Sequence, residues 1–135
     1  AGFLFWFMRS RFAPIARFRE SQIEFFSQIG FEFTGSRIAL MAIGAGVTEE
    51  LLFRGVFQTW LAGLMPAALA IVLPNIVFGL LHARTAMYAI IAGLVGCYLG
   101  VIFWASGNLV VPVVAHALYD VVALELTRRA IAARR

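Results

Sequence analysis

Four long apolar stretches separated by short breaks dominate the chain. The first runs from about Ser36 to Leu64. Pro66 interrupts it and suits the first turn of a new helix, where a missing N–H leaves no bond unmade. The second stretch reaches about Ala83, and Arg84-Thr85 links it to the third, Ala86 to about Ala105. Ser106-Gly107-Asn108 is a turn signal, and the fourth stretch runs from Leu109 to about Leu126. These lengths approach or exceed the roughly 20 apolar residues that cross a bilayer as a helix. The pattern predicts an all-α fold, a polytopic transmembrane helix bundle of at least four spans. Residues 2–8 form an apolar run too short to cross alone. It reads as the end of a preceding, truncated span, and it lacks the n-region and cleavage site of a signal peptide. Ser21 to Thr34 mixes Phe and Ile with Gln and Glu, which suits an interfacial amphipathic helix, with an ordinary loop as the alternative. The expected organisation is therefore an N-terminal stretch over 1–35, a transmembrane core over 36–127 and a basic tail over 128–135.

Composition supports the membrane reading. Hydrophobic residues make up 62% of the chain and charged ones 13%, where a soluble domain carries about 25% charged. Mean hydropathy is +0.90. The net charge is +4, and every basic residue is an arginine. The arginines do not form a nucleic-acid-binding surface pattern. They flank the apolar segments as Arg9, Arg11, Arg17 and Arg19 on one side and Arg128, Arg129, Arg134 and Arg135 on the other. Four spans return the chain to its starting side, so both clusters and Arg84 share that side, which the positive-inside rule makes cytoplasmic. A bacterial cytoplasmic membrane is the expected location, and nucleic acid is not an expected partner. A single cysteine, Cys97, excludes a disulfide or a cysteine-based metal site within the chain. Gly96 and Gly100 form a G-x-x-x-G spacing suited to close helix packing; nothing in the sequence sets an oligomeric state.

Charge inside the apolar stretches is what points to chemistry. Ionisable groups there are few: Glu49, Glu50, Arg54, His82, Arg84, His116, Asp120 and Glu125. A charge at mid-bilayer costs about 2.5–3.5 kcal/mol on insertion scales, so such residues face a protein interior or a wet cavity and mark function. Glu50 and Arg54 are four apart, share a helix face and can pair. Glu49 points about 100° away and stays free. Two adjacent carboxylates then have different environments and different roles, and the unpaired one suits a general base. Phe78 lies one turn before His82, where it can pack beside the imidazole. Asp120 lies one turn after His116, where it can accept a ring N–H and fix the tautomer. Arg84 and Glu125 read as flank charges. Almost nothing else polar is expected to be buried.

Glu-Glu-x-x-x-Arg (Glu49, Glu50, Arg54), Phe-x-x-x-His (Phe78, His82) and His-x-x-x-Asp (His116, Asp120), in this order, resemble the motif set of the CAAX protease and bacteriocin-processing family. Its members are also called Abi proteins or type II CAAX prenyl endopeptidase-like proteins. The resemblance runs from about Arg37 to Leu126. It implies an intramembrane glutamate protease. Glu49 and His82 would activate a water, Glu50, Arg54 and Phe78 would organise the site, and His116 with Asp120 would stabilise the oxyanion. An oxyanion needs donors, and an ionised Asp120 donates nothing, so the expectation is that Asp120 orients His116 while His116 donates. Simple topology places His82 near the cytoplasmic end of its span and Glu49 more centrally, a mismatch in depth that tilt or a water-filled cavity would remove.

The implied substrate is a hydrophobic or prenylated peptide, reached through contact with membrane lipids, and no metal or other cofactor is expected. Three alternatives stay open on the same residues. Glu49, His82 and His116 are enough for a zinc protease with one open coordination position. The same polar pocket suits a non-catalytic protein that binds a peptide, lipid or protein partner. A proton or ion pathway is the third, though the paired internal repeats common in transporters are not evident.

Overall fold

A computed structural model describes residues 6, 9–28 and 32–134. The chain forms α1 (Ala13–Gln28), α2 (Gly35–Glu50), a π-helical segment (Leu51–Gln58), α3 (Thr59–Ala62), α4 (Ala67–Leu81), α5 (Ala86–Ser106) and α6 (Val110–Ala132). No strand occurs among the described residues, and the fold is the expected all-α membrane bundle. Apart from Trp6, the expected span remnant at residues 2–8 lies outside the described residues.

Local chemistry sets the boundaries. Thr34 caps α2 by accepting from the Arg37 amide, and Thr85 caps α5 by accepting from the Tyr88 amide. Gly107, at φ 61°, closes α5 in the left-handed conformation that favours glycine. Helix α2, the π segment and α3 run on without a break. The π segment coincides with a polar stripe. Glu50, Arg54 and Gln58 are spaced by four. In an α-helix each step of four overshoots a full turn by about 40°. The segment bonds from i to i+5, and all three polar residues are buried. Thr59 donates its hydroxyl to the Arg54 carbonyl at 2.9 Å, adding a side-chain bond where the ladder is widened.

Helix α2 packs on α6, and α4 packs on α5. Large apolar side chains such as Leu40, Leu80, Leu94 and Leu118 point outward, as a lipid-facing surface requires. Helices α5 and α6, with 21 and 23 residues, are each long and apolar enough to cross a bilayer. Helix α4 has only 15 residues, about 22 Å, short of the roughly 30 Å apolar core. That shortness removes the expected mismatch in depth. Counted from the turn at residues 63–66, α4 returns far enough to bring His82 level with Glu49 and no farther.

One expectation about the N-terminal end needs correction. The N-terminal amphipathic helix is α1, Ala13–Gln28, rather than Ser21 to Thr34. Pro14 sits in its first turn, where proline is tolerated, and residues 32–34 are irregular. Helix α1 lies against the first turns of α5 and the end of α6. Phe18 meets Tyr88 at 5.3 Å between ring centroids, Arg84 donates to Gln22 Oε1 at 3.1 Å, and Arg134 pairs with Glu20 at 2.6 Å. The expected tail over 128–135 is helical through Ala132. Glu125 binds both Arg128 and Arg129 at 2.7 Å, and such i,i+3 and i,i+4 pairs support a helix.

Candidate active site

The centre of the bundle is a buried polar network built on the Glu50 face. Glu50 and Arg54 are both fully buried. Arg54 donates from Nη1 to Glu50 Oε1 at 2.9 Å. From Nη2 it donates to Asn75 Oδ1 at 3.0 Å and to the Gly96 carbonyl. Asn75 in turn donates to the Ile71 carbonyl at 2.7 Å. One turn along, Gln58 donates to the Gly100 carbonyl at 2.9 Å. The G-x-x-x-G spacing therefore does more than bring helices close. Without side chains at Gly96 and Gly100, the guanidinium and the amide reach backbone carbonyls of α5. A Cβ at Gly100 would stand 2.8 Å from Gln58 Oε1.

Glu50 Oε1 also accepts from His116 Nδ1 at 2.7 Å. This corrects the expected role of Asp120. Glu50, not Asp120, holds the His116 ring by Nδ1, and Asp120 Oδ2 stands 3.5 Å from Nε2. The cause is the close crossing of α2 and α6. A Cβ on Gly46 would lie 3.1 Å from the Val113 carbonyl and 3.2 Å from the Ala117 amide. That approach brings Glu50 onto the Nδ1 edge of the ring.

Glu49 points away from this network, as its helical position predicts, and its side chain is 31% exposed. Its Oε2 lies 4.0 Å from His82 Nε2 and 3.8 Å from His116 Nε2. His82 follows the last residue of α4. Its Nδ1 stands 2.8 Å from the Phe78 carbonyl. A carbonyl only accepts, so Nδ1 carries a proton, and Nε2 faces Glu49. Phe78 packs on His82 with ring centroids 4.4 Å apart, and meets Phe53 edge-on at 4.9 Å. The Arg54 guanidinium lies 5.5 Å from the Phe78 ring centroid. Phe78 thus separates the buried network from the exposed cluster while touching both.

All seven residues expected at the site, Glu49, Glu50, Arg54, Phe78, His82, His116 and Asp120, belong to this one assembly. Gln58 and Asn75 are additional buried polar members that a reading centred on charge passes over. Gln58 had a signal, since it continues the four-residue spacing of Glu50 and Arg54. Asn75 had a weaker one, as an amide inside an apolar run. Beside the site is a cavity of about 450 Å³ that His82, Asp120 and Tyr119 line at one side and α1 covers with Phe18, Ile23 and Phe26. Among the described residues, no group of three His, Cys, Asp or Glu side chains stands in a metal-holding arrangement.

No curated protein and no solved structure matches the chain. A family model does: that of the type II CAAX prenyl endopeptidase Rce1-like proteins, over residues 32–122. At family level the activity is that of a CAAX-type intramembrane protease with a membrane-embedded peptide as substrate. The matched span covers every residue of the network and of the Glu49 cluster. The chain belongs to the type II CAAX prenyl endopeptidase Rce1-like family.

Proposed function

We propose that the chain is an intramembrane glutamate endopeptidase that cuts a hydrophobic or prenylated peptide with a water activated by Glu49 and His82. The observation that carries this reading is the meeting of Glu49 Oε2 with the Nε2 atoms of His82 and His116, at 4.0 and 3.8 Å. These separations exceed a direct hydrogen bond and fit one bridging water, bonded at about 2.8 Å to each. A carboxylate and the lone pair of a neutral imidazole are both acceptors. A water that donates one proton to each aims its own lone pairs away from them, toward a scissile carbonyl. Glu49 takes the proton as the C–O bond forms. The tetrahedral intermediate places negative charge on the former carbonyl oxygen. His116, doubly protonated, donates to it from Nε2 while Glu50 holds Nδ1. Asp120 stands at the same Nε2 as a neighbouring counter-charge. The proton on Glu49 then passes to the leaving amine, which breaks the C–N bond.

The test is cleavage by purified protein of matched prenylated and unprenylated peptides, with and without a chelator. Cleavage that persists in chelator and vanishes in Glu49→Gln supports a glutamate-activated water. Activity lost to chelator and restored by zinc overturns it in favour of metal catalysis. Peptide binding without cleavage overturns it in favour of a non-catalytic receptor.

A further inference from the structure

We propose that Tyr88 is a positioning residue for His82: backed by Phe18 of α1, its ring holds the imidazole with Nε2 toward Glu49, so that α1 takes part in the chemical step. This rests on the protease reading above and adds to it a residue outside the three motifs.

His82 needs a hold beyond what α4 provides. It follows the last residue of that helix, and its side chain is 26% exposed. Two contacts reach it from α4: the hydrogen bond from Nδ1 to the Phe78 carbonyl at 2.8 Å, and the Phe78 ring with its centroid at 4.4 Å. Both come from one residue. A ring tethered at Nδ1 can still pivot, and Nε2, on its far edge, moves most. The cavity that His82 lines leaves room for that movement.

Tyr88 supplies a contact from a different helix, α5. Its ring stands nearly perpendicular to the imidazole, at 80° with centroids 5.6 Å apart, within the range of a favoured edge-to-face pair. Two neighbours set its own position. Thr85 accepts from the Tyr88 amide at 3.1 Å and fixes the first turn of α5. Phe18 of α1 meets the Tyr88 ring at 5.3 Å. Two apolar clusters join at this ring. Ile15 and Phe18 of α1 form one, and Phe53, Phe78 and Ala92 beside the site form the other; Tyr88 packs against both. Ring contacts therefore run from α1 through Phe18 and Tyr88 to His82, whose Nε2 lies 4.0 Å from Glu49 Oε2. A reacting group displaced by about 1 Å can lose 100-fold in rate, so a hold on this ring bears on the chemical step.

The experiment compares Tyr88→Leu, Tyr88→Phe and Phe18→Leu with wild type on one S-farnesylated peptide. Tyr88→Leu is expected to lower kcat about 10- to 100-fold, the cost of an ångström-scale misplacement, with KM nearly unchanged. Tyr88→Phe keeps the ring and should recover most of that loss. Phe18→Leu removes only the backing and should lower kcat by about 2- to 10-fold, the worth of one aromatic pair. A loss confined to KM overturns the proposal, since it marks a chamber wall. So does a Tyr88→Phe variant as impaired as Tyr88→Leu, which would make the hydroxyl the active part. An unaltered kcat in Phe18→Leu overturns the part given to α1. Nitrogen NMR of histidine-labelled protein reads the imidazole without cleavage. The chain has two histidines, and His82→Gln assigns their signals. Wild type and Tyr88→Phe should hold His82 in the tautomer protonated at Nδ1. Tyr88→Leu and, in part, Phe18→Leu should average the two tautomers; Phe18→Leu gives this reading even where Tyr88→Leu fails to fold. An unchanged His82 pattern in both overturns the proposal. Failure of the protease reading shows separately, as no cleavage by wild type while the His82 pattern still answers to Tyr88.

Discussion

Replacing Glu50 with alanine removes the acceptor of two buried hydrogen bonds, from Arg54 Nη1 at 2.9 Å and from His116 Nδ1 at 2.7 Å. It also strands the fully buried Arg54 guanidinium without a counter-charge. Hydrogen bonds between membrane helices average about 0.6 kcal/mol and reach about 1.7, so two bonds account for roughly 1–3 kcal/mol. Breaking a buried ion pair from one side costs about 3–5 kcal/mol. The stranded charge is therefore the larger effect, and the expected destabilisation is about 3–5 kcal/mol. The assay is equilibrium unfolding in detergent micelles, followed by circular dichroism, on wild type, Glu50→Ala, Arg54→Leu and a Glu50→Leu/Arg54→Leu double variant. The double variant carries no buried charge at these positions and should regain part of the loss. Recovery stays incomplete, because Asn75 and the Gly96 carbonyl lose the donor that Arg54 gave them. A Glu50→Ala protein within about 1 kcal/mol of wild type would refute the reasoning, since that is no more than the worth of an exposed pair.

Glu49→Gln, one residue away, should behave oppositely: kcat falls by about 100-fold or more, while the unfolding transition hardly moves, because Glu49 sits outside the buried network. Gly96→Ala should destabilise by about 1–3 kcal/mol through overpacking, since a Cβ there runs into the Asn75 side chain; unfolding measurements check this, and an unchanged midpoint would contradict it. The contact between α1 and the end of α6 should weaken in acid. Arg134, bonded to Glu20, holds that carboxyl below its ordinary value of 4.5. A lowered value means the stabilisation is complete above pH 4.5 and fades as pH falls through the folded-state value. Hydrogen exchange of α1 amides should rise across that window in wild type and not in Glu20→Gln.

Helical periodicity made the Glu50–Arg54 pair legible, along with the separate direction of Glu49, because both follow from local geometry. The meeting of His82 and His116 with Glu49 was a different matter. It was expected from the resemblance in motif order, and no spacing within one helix dictates it. The Glu50–His116 bond escaped sequence reading because it depends on how closely α2 crosses α6 at Gly46. Asp120 looked like the partner of His116 only because it lies one turn away on the same helix. Gln58 and Asn75 were passed over because neutral amides do not register in a search for charge, although they are buried with Arg54. Helix α1 was placed too late in the chain because its first half lies in an arginine-rich stretch that reads as a flank.

Helix α4 carries a consequence for the surrounding lipid. With 15 residues it spans about 22 Å, while α5, against which it packs, has 21 and α6 has 23. Acyl chains beside it must compress or tilt to match it, and such hydrophobic mismatch costs fractions of a kcal/mol per ångström. The resulting local thinning draws headgroups and water inward on the flank where His82 ends the helix. Acyl-chain length thereby becomes a rate variable: reconstitution in short-chain phosphatidylcholine should favour hydration of that flank, and long-chain lipid should starve it.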